Sequence, residues 1–238
     1  QALNDVKAVA LALPQDPPIP ETARWWGKGF TEWRNVVRGR PVFEGHDQPR
    51  IPADLGFYDL RTEETVREQW TLARRYGIGA FCYYYYWFAG RRLLEEPLEM
   101  LLRTNEEKLP FCLAWANENW TRTWDGGDDR VLIGQVHGEA DDRAIIQDLI
   151  RYFRDPAYLR IAGRPVFLLY RHDLLPDVRT TIGLWRDECG RAGVGDPYLV
   201  ACEACDLAWG DDDPRRHGFD ASVEFPPHGV GTRTSPPG

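Results

Sequence analysis

A chain of 238 residues with 43% hydrophobic and 28% charged side chains is long enough for one sizeable core and has the composition of a globular α/β protein. Its formal net charge of -8, with a sequence pI near 5.2, argues against nucleic acid or another polyanion as partner. No apolar stretch has the length of a bilayer span, so the chain reads as a soluble protein, and its odd number of scattered cysteines suits the cytoplasm.

The opening "QALNDVKAVALALPQ" has an apolar run but no basic leader and no small-residue cleavage site, and it reads as a first strand. The following "LPQDPPIPE" is rigid and proline-rich, with none of the glycines that a phosphate-binding loop needs. "TEETVREQWTLARRYG" sets Val66, Trp70 and Ala73 at helical spacing, with acids in its first turn, Arg74 and Arg75 in its last, and Gly77 as a stop. It runs into the strand "GAFCYYYYWF". The unit recurs: "EEPLEMLLRTNEEK", with Leu94, Leu98, Leu101 and Leu102 on one face, precedes "LPFCLAWA". "DDRAIIQDLIRYFRDP" precedes "RPVFLLYR", "VRTTIGLWRDECGRAG" precedes "PYLVACEA", and the polar loop "GDDDPRRHG" precedes "FDASVEFPP".

Apolar strands that alternate with amphipathic helices imply a parallel sheet covered by helices. Polar residues gather where successive strands end: Tyr86 and Trp87, Asn117 and Glu118, Tyr170 and Arg171, Glu203, then Glu224 and His228. In a (β/α)8 TIM-type barrel these ends share one mouth. About six strands are legible where a closed barrel has eight, so the expectation is a single barrel domain over residues 1 to 238, incomplete at its C-terminus.

The stretch "WANENWTRTWDG" concentrates Trp115, Trp120, Trp124, Arg122 and Asp125 around Glu118. A carboxyl group walled by indoles is partly desolvated, which suits a general acid, and Asn117 is placed to bind a sugar hydroxyl. The bland reading is a Glu118 to Arg122 salt bridge that ties down a loop. Glycosidic chemistry calls for a second carboxyl group, for which Glu224 and Glu203 are the strand-end candidates and Asp125 a loop candidate. Six of the ten tryptophans lie in two short loops, at 25, 26, 33, 115, 120 and 124, and a pyranose ring packs well on an indole face. Lys28, Glu32 and Arg34 stand among Trp25, Trp26 and Trp33 of the earlier loop. The competing account is a tryptophan plug that closes one end of a barrel. Near the end of the tyrosine strand, Tyr86, Trp87 and Arg91 are better placed for a ligand than Tyr83.

Five cysteines, Cys82, Cys112, Cys189, Cys202 and Cys205, are an odd number in apolar surroundings and fit reduced thiols. The "CEAC" pair has no partner set that would complete a zinc site. The acidic runs "DGGDD" and "GDDD" lack the spacing of a calcium loop and read as solvated turns. No metal or cofactor is expected.

Taken together, "WWGKGFTEW", "ADLGFYDLR", "YGIGAFCYYYYWF", "PFCLAWANENWTRTWDG", "GRPVFLLYR" and "GFDASVEFPPHG" resemble the WbsX-like family, also described as glycoside hydrolase family 99-like domains, over nearly the whole chain. Members of that family accompany bacterial genes for O-antigen, capsule or rhamnan assembly and are often beside or fused to glycosyltransferase domains. The resemblance implies a (β/α)8 barrel, an oligosaccharide or polysaccharide ligand, and Glu118 as the leading site residue. True family 99 members are retaining endo-acting α-mannoside hydrolases with two carboxylates, one of which engages the sugar's own 2-hydroxyl. The chain departs from the pattern at Asp16, Pro17 and Pro18, where aromatic and histidine residues are usual, at Ala89, where asparagine is usual, and in the absence of a C-terminal "NEW"-type segment. The expected function is a carbohydrate-active enzyme that cleaves or transfers a glycosidic linkage. The alternatives are a glycan-binding barrel attached to a glycosyltransferase, and a metal-dependent nucleotide-sugar transferase.

Overall fold

The computed structural model describes residues 7–13, 24–25, 27–104, 107–122, 127–204, 207, 209 and 212–225, apart from the side chains of residues 122 and 127–130. The chain divides into two compact units, residues 1–81 with 94–109, and residues 82–93 with 110–238.

The first unit holds strand β1 (Ala8–Ala12), helix α1 (Glu32–Val36), helix α2 (Glu63–Arg75), the first residues of strand β2 (Ile78–Phe88) and helix α3 (Glu96–Arg103). Helix α2 buries Thr65, Val66, Trp70 and Ala73, the stripe its spacing dictates, and keeps acids and bases at the ends where they complement the helix dipole. It stops at Tyr76, and Gly77 follows at φ 79°, a left-handed conformation that glycine adopts without strain. Helix α3 accepts Pro97 in its first turn and buries Pro97, Leu98, Met100 and Leu101. The expected stripe of Leu94, Leu98, Leu101 and Leu102 is only half realised. Leu94 precedes the helix at φ 53°, and Leu102 is half-buried.

The second unit contains the rest of β2, then β3 (Arg91–Leu93), β4 (Phe111–Trp115), β5 (Trp120–Arg122), β6 (Gly127–Ile133), helix α4 (Glu139–Phe153), β7 (Arg160–Ile161), β8 (Arg164–Leu169), helix α5 (Val178–Ala192), β9 (Tyr198–Glu203) and β10 (Ala221–Glu224). The order along the main sheet is β1-β2-β4-β8-β9-β10, six strands as the sequence pattern implies. β4, β8, β9 and β10 run parallel, and the intervening α4 and α5 are the crossovers that parallel pairing requires. Three short antiparallel additions, β3 on β2, β7 on β8 and the separate β5-β6 ribbon, escape a reading based on long apolar runs.

Register assigns the two faces of this sheet. Leu113 pairs with Phe167, and Trp115 with Leu169, so these side chains share one face. That face meets the helices: Phe153 of α4 lies 6.2 Å from Phe167, and Trp185 of α5 lies 5.6 Å from Phe167 and 6.0 Å from Trp115. Tyr85 joins the same layer, with its ring 6.4 Å from Tyr152 and its hydroxyl donating to Asp148 at 2.7 Å. Arg92 and Arg151 flank Asp148 and lie over the Tyr152 ring, which binds the β2-β3 turn to α4. The opposite face carries Leu168, Cys202 and Phe225, with Tyr84 and Tyr170 packed on them. At the other end of the strands, Asp220 accepts from both outer nitrogens of Arg164 and from the Leu199 amide, fixing the entry to β10 against β8 and β9. Among the described residues no helix is long and apolar enough to cross a membrane.

Phe153 is fully buried and touches both Tyr158 and Phe167. Phe153→Ala should therefore cost about 3–5 kcal/mol in a urea titration, whereas Tyr76→Ala, at a ring 70% exposed, should stay within about 0.5 kcal/mol. Equal small effects would contradict this assignment of the core.

Candidate functional site at the strand ends

The site grows from the ends of β4 and β8. Just beyond β4, Asn117 is completely buried, and its side chain grips the backbone just beyond β8: Nδ2 donates to the Arg171 carbonyl at 2.7 Å, and Oδ1 accepts from the Arg171 amide at 2.8 Å. A primary amide is the side chain that satisfies a backbone donor and acceptor together. The expected hydroxyl-binding role of Asn117 thus gives way to an anchoring one.

So fixed, Arg171 reaches two carboxylates. Its Nη1 donates to Glu118 at 2.6 Å, while Nε and Nη2 make a forked pair with Asp173, both at 2.8 Å. The guanidinium is accordingly held above its ordinary range, chiefly by the Asp173 hydrogen bonds, against the opposing effect of burial and with help from Glu118. The salt bridge foreseen for Glu118 exists, but its cation is Arg171; the Arg122 side chain lies outside the described residues. The Glu118 side chain remains 43% exposed. Gln135 supports the turn from the ribbon side, its backbone N–H donating to Asn119 Oδ1 at 2.6 Å.

The aromatic residues separate into two groups. Trp120, half-buried and two residues after Glu118, is braced by Tyr86 and Phe88, which it meets edge-on at 5.2 and 5.5 Å. Tyr84, Tyr170 and Phe225 cluster on the face away from the helices and connect to the first group through Tyr84 and Tyr86, stacked at 6.4 Å. Burial pushes the Tyr84 phenol up to about 12. Trp115 and Trp87 depart from the expectation of ligand contact. Trp115 is wholly buried against Trp185 and His137, and Trp87 is buried with its indole N–H on Asp141 at 2.9 Å. Strand alternation turns both toward the helices. Tyr86, 5% exposed, serves as support for Trp120.

Glu203 and Glu224 are partners in the β9-β10 register. They share the face of Ala201 and Ser222, opposite Cys202 and Val223, and Glu203 accepts the Ser222 hydroxyl at 2.6 Å while Glu224 is exposed. Lys28, Glu32 and Trp33 belong to the first unit, where Trp33 donates to the Tyr58 carbonyl at 3.0 Å, Glu32 is half-buried and Lys28 is exposed. Trp26, Trp124, Asp125, His228 and Cys205 lie outside the described residues. The Cys82 thiol is raised well above its usual range, first by its hydrogen bond to Cys112 and then by burial, and burial brings Cys189 and Cys202 to about 12; these are packing thiols, not nucleophiles. In the second acidic run, Asp212 pairs with His217 and Asp213 with Arg215.

Two neighbours of Arg171 were not singled out from sequence. Asp173 has the two-residue spacing at which a carboxylate can fold back on a guanidinium, a pattern repeated at Asp59 with Arg61 and Asp213 with Arg215. His172 stacks on Trp209 at 4.6 Å, and burial holds its imidazole below the usual range.

Comparison with known proteins adds a family and a fold. Residues 8–236 match the family described as glycosyltransferase WbsX. The uncharacterized proteins WxcX of two strains of Xanthomonas campestris pv. campestris, B100 and ATCC 33913, are each 54% identical over 220 residues, which is 92% of this chain and 31% of theirs. The chain therefore spans about a third of the length of these curated relatives. The GH99 endo-alpha-mannosidase from Bacteroides thetaiotaomicron superposes with a TM-score of 0.56 at 13% identity, over 92% of this chain and 60% of that one. A second structure of a GH99 endo-alpha-mannosidase from the same organism, in complex with bis-tris propane, gives 0.55 at 12% identity, over 92% and 58%. At such identities the likeness shows the fold, an incomplete TIM-type barrel.

Because Asn117 satisfies both backbone groups of Arg171 inside the protein, Asn117→Ala should lower stability by about 1–3 kcal/mol, read from denaturant midpoints. It should also loosen residues 171 to 173 in a crystal structure. An unchanged midpoint with Arg171 still on Glu118 would show that the amide is dispensable.

Proposed function

The chain belongs to the WbsX glycosyltransferase family, and from that membership we propose that it acts on glycans as a carbohydrate-active enzyme of bacterial surface polysaccharide metabolism, cleaving or transferring a glycosidic linkage. The observation that carries the reading is the Glu118 carboxylate held by Arg171, with the braced indole of Trp120 two residues further along the same turn. An indole face and a fixed carboxylate are the two elements by which proteins hold a pyranose: ring stacking and acceptance of a hydroxyl proton.

The ion pair refines the role of Glu118. A carboxylate matched by a guanidinium is a hydrogen-bond acceptor and base, so Glu118 takes the proton of a sugar hydroxyl or of water, and the donor that protonates the leaving oxygen is a second acid. Glu224, exposed at the end of β10, is the proposed second acid, with Glu203 beside it in register; both stand on the face of Ala201 that continues Leu169 and Trp115, so Glu224 meets the substrate at Glu118 past the end of its strand and not across the face that carries Tyr86. On a flat sheet, β4 and β10 would stand about 14 Å apart at ~4.8 Å per strand. Glycosidase pairs lie roughly 5–9.5 Å apart, so this pairing requires the ends of β4 and β10 to approach more closely than a flat sheet allows. The substrate is an oligosaccharide or polysaccharide. The greater length of the relatives is consistent with further domains, among them glycosyltransferase domains, working on the same glycan.

Glu118→Gln and Trp120→Ala separate catalysis from binding. With oligosaccharides released from bacterial surface polysaccharides as probes, Glu118→Gln should lower turnover by at least about 100-fold, the scale of one positioned acid or base, while retaining binding. Trp120→Ala should weaken binding itself. Full turnover in Glu118→Gln would remove Glu118 from the mechanism, and glycan binding without turnover in the unaltered protein would favour a binding module.

A further inference from the structure

We propose that Asp173 is a specificity-determining residue, which occupies the guanidinium at the ligand edge and so selects uncharged glycans over anionic ones. The inference rests on the glycan-processing reading above, and concerns which glycans that site accepts. Within the second unit, the parallel strands β4, β8, β9 and β10 bring Glu118, Asp173, Glu203 and Glu224 to their C-terminal ends, with Arg171 as the guanidinium among them. His172 adds no charge at neutral pH, because its imidazole is held below the usual range by burial.

An exposed guanidinium fork is a receptor for carboxylate and phosphate, and at a glycan site it would favour uronic acids or phosphorylated sugars. Here the fork is already filled. Nε and Nη2 of Arg171 are taken together by the two oxygens of Asp173, and Nη1 by Glu118. An anionic ligand gains this Nε–Nη2 fork only by displacing Asp173, and it approaches through the field of the carboxylates that remain, Glu118 first. A neutral sugar has neither penalty and keeps the stacking surface of Trp120. Holding Glu118 in place would need one donor from Arg171; the bidentate Asp173 pair goes beyond that need, and its chemical consequence is to remove the anion receptor.

The test compares binding of α-1,2-mannotetraose and α-linked rhamnotetraose with that of tetragalacturonate, by calorimetry on the same 238-residue chain at low ionic strength. The unaltered protein should bind a neutral tetrasaccharide at least tenfold more tightly than the uronate. Asp173→Asn, which keeps the side-chain shape, should shift the ratio of dissociation constants at least tenfold toward the uronate, and added salt should reduce that shift. Asp173→Ala serves as a second variant, and thermal melting verifies that each is folded. Equal binding of neutral and anionic tetrasaccharides by the unaltered protein, or an unchanged ratio in both variants, would overturn the role of Asp173 and leave the glycan reading standing. Failure of the unaltered protein to bind any of these glycans would overturn the glycan reading and this inference with it.

Discussion

The arrangement at the strand ends depends on one buried contact, the double hydrogen bond from the Asn117 amide to the backbone of Arg171. It connects the segment after β4 to the segment after β8 at a point where the sheet ladder has ended. Without it, a long guanidinium side chain would have many rotamers open to it. With it, Arg171 leaves the backbone in one direction and meets Glu118 and Asp173 together. The local dielectric, partly protein and partly water, makes these charge-assisted bonds stronger than isolated surface pairs.

The core is built to hold that contact still. Trp115, the last residue of β4, is locked between Trp185 and His137, two residues before Asn117. Leu169, the last residue of β8, pairs with Trp115 in register and is equally buried. The large aromatic side chains directed at α4 and α5 are therefore the foundation on which Asn117 and Arg171 are held. Strand alternation divides the labour: each strand sends one side chain into the helix layer and the next to the opposite face.

The architecture was legible wherever a residue's environment follows from its own segment. Val66, Trp70 and Ala73 declare the buried face of α2 by spacing alone, and the alternation of apolar strands with helices declares a parallel sheet. The contacts at the strand ends were legible only in outline. Glu118 and Arg171 stood at strand ends, but sequence neighbourhood pointed to Arg122 as the partner, and only the β4-β8 register reveals Arg171. Trp115 and Trp120 look alike in sequence. One is sealed inside and the other half-exposed because β4 ends at Trp115 and a new ribbon begins at Trp120. Asn117 resembled a ligand-binding amide because nothing local shows that the backbone of a strand 54 residues away will need it.

The most direct measurement is a crystal structure of the chain with a neutral α-linked tetrasaccharide. The account predicts one sugar ring stacked on Trp120 and a hydroxyl within hydrogen-bond distance of Glu118, with Arg171 still bridging Glu118 and Asp173. A glycan bound elsewhere, with Glu118 untouched and Trp120 uncovered, would contradict it.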